Sequence, residues 1–90
     1  MSRSSEFHRI SEAMTAIITE YQRATEAHGA FASAHEGYAV ILEELDELWI
    51  EVKRRHKDLP AMRKEAIQVG AMAMRFLVDV CTGEEAKPDA

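Results

Sequence analysis

Along the first third of the chain, apolar residues recur at alternating intervals of three and four: Phe7, Ile10, Met14, Ile17, Tyr21 and Ala24. A helix turns about 100° per residue, so these side chains form one stripe. The pattern predicts a helix over residues 5–28, stopped by Gly29. Ser33 and Glu36 then stand at the S-x-x-E spacing of a capping box, in which each side chain satisfies a free backbone N–H at the other's end. A second helix is predicted to begin just after Ser33 and to run to about residue 56. On it Tyr38, Ile41, Leu42, Leu45, Leu48, Trp49 and Val52 fall within roughly 120° of arc and make the expected core face, with Trp49 as a packing anchor.

The run Lys53-Arg54-Arg55-His56-Lys57 puts cations where the helix dipole favours them. Asp58-Leu59-Pro60 then breaks the helix, and Pro60 suits the first turn of the next, predicted over residues 61–81. In that third helix Ile67, Val69, Met72, Met74, Phe76, Val78 and Val80 cannot share one face. It is therefore expected at the centre of the fold, buried against another subunit. Val40 and Ile50, opposite the core stripe of the second helix, are expected to meet a further subunit. The result is an all-α, three-helix chain that assembles into an oligomeric helical bundle. Residues 1–83 make a single domain, and residues 84–90, without an apolar anchor, are expected to be a disordered tail.

Composition changes this picture little. A chain of 90 residues makes one domain at most and buries a smaller share of its surface than a longer one, which favours a partner subunit. The apolar residues include many Ala, with Leu and five Met, aromatics are only 7%, and this balance favours helices over strands.

Charge and cysteine content narrow the function. The net charge of −5 repels a phosphate backbone, so nucleic-acid binding is not expected, while metal-assisted binding of a single nucleotide stays open. One cysteine, Cys81, provides neither an internal disulfide nor a zinc cluster, which fits a reducing, cytoplasmic setting. The polar N-terminus lacks the apolar core of a signal peptide, and the most apolar stretch is too short and too charged to span a bilayer. No membrane role is expected.

The candidate chemistry is acidic. Glu44, Glu47 and Glu51 lie within roughly 60° of one another on the second helix, and like charges so placed repel unless a cation intervenes. Glu65 opens the most apolar segment, with Gln68 one turn on, and a carboxylate there needs a partner because an unpaired buried charge costs several kcal/mol, of order 3–5. Antiparallel helices joined by a short connection pack side by side, so the pair Glu44 and Glu47 can face Glu65 and Gln68. Such an all-oxygen set favours Mg²⁺ or Mn²⁺ over zinc. Two plainer readings remain: a solvated acidic flank, and inter-subunit salt bridges with Lys53, Arg54 or Arg63.

The run Glu43-Glu44-Leu45-Asp46-Glu47, followed by Glu65-Ala66-Ile67-Gln68, resembles the EExxE and ExxD motifs of the MazG-like all-α nucleoside triphosphate pyrophosphohydrolases. That resemblance implies a homodimer or homotetramer acting on a nucleotide with Mg²⁺, or Mn²⁺ in its place. Glu44, Glu47 and Glu65 would be ligands, with Gln68 where the family has its last Asp. Glu43 would orient water, and Glu43 and Glu47 would carry the catalytic role. Gln68 departs from the pattern, since its carbonyl can ligate but brings no charge. Lys64 and Arg75, on the same side of the third helix as Gln68, are candidate phosphate contacts; their plainer role is pairing with Glu65 and Asp79. The alternative function is a non-catalytic helical oligomer, a nucleotide-binding regulatory or adaptor module with a degenerate metal site. The histidines His8, His28, His35 and His56 show no metal-binding spacing.

Overall fold

The computed structural model describes residues 3–82, and the expected tail at 84–90 lies outside them. Among the described residues the chain is all-helical, with α1 (Arg3–His28), α2 (Ala34–Val52) and α3 (Leu59–Asp79). None of these is long and apolar enough to cross a membrane. The backbones of α1 and α2 each pack on α3 rather than on each other, so α3 is central as expected, although Val78 on it stays exposed. Helix α2 is antiparallel to α3: Gly37 lies against Phe76 at one end, and Glu47 against Glu65 at the other.

The helix boundaries follow from their caps. Gly29, at φ 73°, takes the left-handed turn that ends α1, and its N–H bonds to the Thr25 carbonyl at 2.8 Å. Ser33 Oγ accepts from the Glu36 N–H at 3.1 Å, as the capping box predicts. The return bond is one residue off, since Glu36 Oε1 accepts from Ala32 N–H at 2.8 Å. Helix α2 stops at Val52, about a turn before the expected end. Lys57 explains this by folding back to donate to the carbonyls of Val52 and Arg54, which satisfies last-turn acceptors that another turn of helix would have used. Asp58 caps α3 through the Ala61 N–H at 3.1 Å, so α3 starts at Leu59 and ends at Asp79, two residues before the predicted limit at each end.

Packing corrects the predicted faces. The buried core is small: Ala24, Phe31, Ala71 and Met72, with Tyr21, Val40, Ile41, Phe76 and Val80 packed against it. Val40, expected at a further subunit, therefore packs against this core, while Ile50 is exposed. Tyr38, Leu42, Leu45 and Trp49, expected in the core, are exposed, Trp49 at 57%. The reason is Gly37. A Cβ built there would stand 2.6 Å from Phe76 Cδ2, so the helices approach most closely on the face with the smallest residue, and the larger apolar stripe turns outward. On α1 the N-terminal half of the stripe, Phe7, Ile10 and Met14, is also exposed, while Ala24 is buried.

The α1–α2 loop is pinned to α3 by polar contacts. Buried Arg75 donates to the Gly29 carbonyl at 2.7 Å and its guanidinium lies 4.2 Å from the Phe31 ring centre. Asp79 Oδ2 accepts from the Phe31 N–H at 2.9 Å. Arg75 and Asp79 thus both hold the loop, in place of the mutual pairing their spacing suggests.

Two glycine substitutions separate packing from helix propensity. Gly37→Ala should destabilise by about 1–3 kcal/mol, because overpacking outweighs the roughly 1 kcal/mol gained in propensity. Gly70→Ala, whose nearest neighbour at 3.0 Å is the mobile end of Ile17, should be neutral or stabilising. Urea unfolding measures both, and equal effects at the two positions would contradict this account of α2 packing.

Candidate metal centre

The i, i+3 spacing puts Glu44 and Glu47 one turn apart on α2, and the antiparallel return brings Glu65 of α3 opposite them. Glu44 and Glu65 are half-buried and Glu47 is exposed; one oxygen from each lies within 4.8 Å of the others. Gln68, one turn along α3, lines a pocket of about 370 Å³ together with Glu43 and Glu44. The structure thus brings together all three carboxylates read from the sequence, with Gln68 and Glu43 alongside.

The electrostatics are those of crowded carboxylates, with the charge of Lys64 opposing the crowding at Glu65. Burial pushes the Glu44 carboxyl up to about 7, with further contributions from a hydrogen bond to Glu47 and from the charges of Glu47, Glu65 and Glu43. Burial also raises Glu65, followed by the charge of Glu47. Glu65 Oε2 is buried with no hydrogen-bond partner. A buried acceptor without a donor costs about 1–3 kcal/mol. Divalent cations that prefer oxygen relieve all these penalties together, so the residues fit Mg²⁺ or Mn²⁺. Glu51, on the same side of α2, is turned to Arg54, whose Nε lies 2.8 Å from its Oε1. Arg54 is thereby engaged locally instead of bridging to Glu44, Glu47 or Glu65.

The candidate phosphate contacts divide. Arg75 lines the pocket, but its Nη2 is committed to Gly29 and its Nη1 lies 3.2 Å from Met72 Sδ. Lys64 faces a separate surface cleft between α1 and α3, beside Glu20 and Gln68. Two residues of α1 escape a reading of the sequence. Glu20 stands beside Gln68, and Arg23 lines the pocket with Glu43 and Glu44. Their one signal is an i, i+3 acid–base pair, which surface helices share.

No family model matches the chain, and no curated protein or solved structure is detectably similar to it.

The raised carboxyls fix a pH dependence. Between about 4.5 and 7 the folded protein holds more protons on Glu44 than the unfolded chain does, and the raised Glu65 carboxyl acts in the same direction, so stability falls as pH rises through this window. Glu20, held below the usual range chiefly by Arg23, titrates beneath it. Metal-free protein should melt at a lower temperature at pH 8 than at pH 6, and Mn²⁺ should reverse most of the loss at pH 8. Thermal melts by circular dichroism check this; a melting temperature that rises from pH 6 to 8 without metal would contradict it.

Proposed function

We propose that this chain is a Mg²⁺-dependent, MazG-like nucleotide pyrophosphohydrolase, working in the cytoplasm as a homodimer or homotetramer. The observation that carries the reading is the convergence of Glu44, Glu47 and Glu65, with Glu65 Oε2 buried and without a hydrogen-bond partner, beside a 370 Å³ pocket that Glu44 lines. The order and spacing of the two acidic motifs support it.

In this reading Glu44, Glu47 and Glu65 hold the cation, and Gln68 offers its carbonyl oxygen as a neutral fourth donor. A bound Mg²⁺ supplies a lowered water pKa and neutralises charge that develops on phosphate oxygens. Glu43, on the pocket wall beside Glu44, orients the water that attacks the α–β phosphate linkage. The products are a nucleoside monophosphate and pyrophosphate. Uncovered apolar stripes support the oligomer. Tyr38, Leu42, Leu45 and Trp49 repeat at four, three and four residues, the spacing of a helix seam that packs on another helix.

Gln68 favours a second reading, a nucleotide-binding regulatory or adaptor module in which three carboxylates bind too weakly for catalysis. Incubation with a panel of nucleoside triphosphates and Mg²⁺, with monophosphate and pyrophosphate as readout, separates the two. Turnover that falls at least about 100-fold in Glu47→Gln supports the enzyme. Absence of products at high protein concentration leaves only the binding module, and Gln68→Asp should then tighten cation binding by restoring a charge.

A further inference from the structure

We infer that Arg23, locked in place by Glu20, is the arm of the pocket that takes the phosphate groups of a polyphosphate ligand; the inference rests on reading that pocket as a nucleotide site. Arg23 shares the pocket wall with Glu43, Glu44 and Gln68, so an anion held by the guanidinium lies in the same cavity as the carboxylates. The Glu20 carboxylate grips the guanidinium from one side, Oε1 accepting from Arg23 Nε at 2.8 Å and Oε2 from Nη2. Glu20's side chain is only 13% exposed whereas Arg23's is 60% exposed, which makes the carboxylate the anchor and the guanidinium the presented group. Of the five N–H groups of an arginine this pairing uses two, leaving three donors in a fixed plane. A free surface arginine must be ordered when it binds, and the pairing with Glu20 supplies part of that order beforehand.

The rest of the pocket fits such an ligand end. Arg75 lines the same cavity as Arg23, so cationic groups of α1 and α3 stand with the carboxylates of α2 around one space. Arg75 is 4% exposed, and its Nε is buried without a partner. With both its Nη atoms engaged it supplies positive potential, while Arg23 supplies the open donors. Glu36, also on the wall, is spent on capping α2 through Ala32. A polyphosphate answers both halves of this lining, since its oxygens can share a divalent cation with Glu44 and accept hydrogen bonds from Arg23. Lys64 lines the adjoining cleft, which shares Gln68 with this pocket.

Calorimetric titration of the full chain with inorganic tripolyphosphate in Mg²⁺, and separately with Mn²⁺ alone, tests the assignment. Arg23→Gln should weaken tripolyphosphate binding by about tenfold or more and leave Mn²⁺ affinity within about twofold of wild type. Arg23→Lys, which keeps the charge and loses the fork, should recover only part of the loss. Glu20→Gln should fall between wild type and Arg23→Gln. Equal tripolyphosphate affinity in wild type and Arg23→Gln, or no binding by wild type, overturns the role of Arg23. Arg23-dependent tripolyphosphate binding without any Mn²⁺ binding upholds that role and removes the metal centre instead.

Discussion

Like-charge repulsion at the junction of α2 and α3 is the constraint on which the site depends. Two helices that pack through a glycine and a phenylalanine at one end bring Glu44, Glu47 and Glu65 together at the other. Neither helix can relieve the strain alone. Rotating α2 to turn Glu44 outward would lift Gly37 from Phe76 and put a larger residue in its place. The acidic cluster is thus coupled to the packing of Gly37 on Phe76, and Glu65 Oε2 stands in it buried without a hydrogen-bond partner. In the proposed reading a cation resolves the conflict without moving either helix.

The same geometry explains the form of the molecule. With α3 in the middle and α1 and α2 each packed on it, the chain buries few large side chains. Phe31 and Met72 are in the core, whereas Phe7, Met14, Tyr38, Leu45 and Trp49 are exposed. The loop between α1 and α2 compensates in part through Arg75, which ties the Gly29 carbonyl and the Phe31 ring to α3. That clamp also shapes the pocket, since Phe31, Arg75 and Met72 form part of its lining.

Much of this was legible in the sequence, for reasons that can be named. Helix order followed from the three-and-four spacing, the starts of α2 and α3 from Ser33 and Asp58 to Pro60, and the carboxylate convergence from i, i+3 pairs on antiparallel helices. The face of α2 was not legible, because that helix carries two apolar stripes and periodicity gives weight to the larger residues. Close approach favours the smaller ones, and Gly37 decided it. The early stop of α2 depended on Lys57 reaching back to carbonyls that no pattern of side chains reveals. Arg75 gave no sign of its burial, since its partners are a backbone oxygen and a ring 46 and 44 positions away in the chain. Glu20 and Arg23 join the site only because α1 folds back along α3.

The central claim is that Glu44, Glu47 and Glu65 form one cation site. Titration of Mn²⁺ followed by electron paramagnetic resonance tests it most directly, because free and bound ions are counted separately. The account predicts one saturable Mn²⁺ site per chain in the wild type and its loss in Glu65→Gln, with helical content unchanged. Mn²⁺ that stays free at millimolar concentration, or a site that survives in Glu65→Gln, would contradict it.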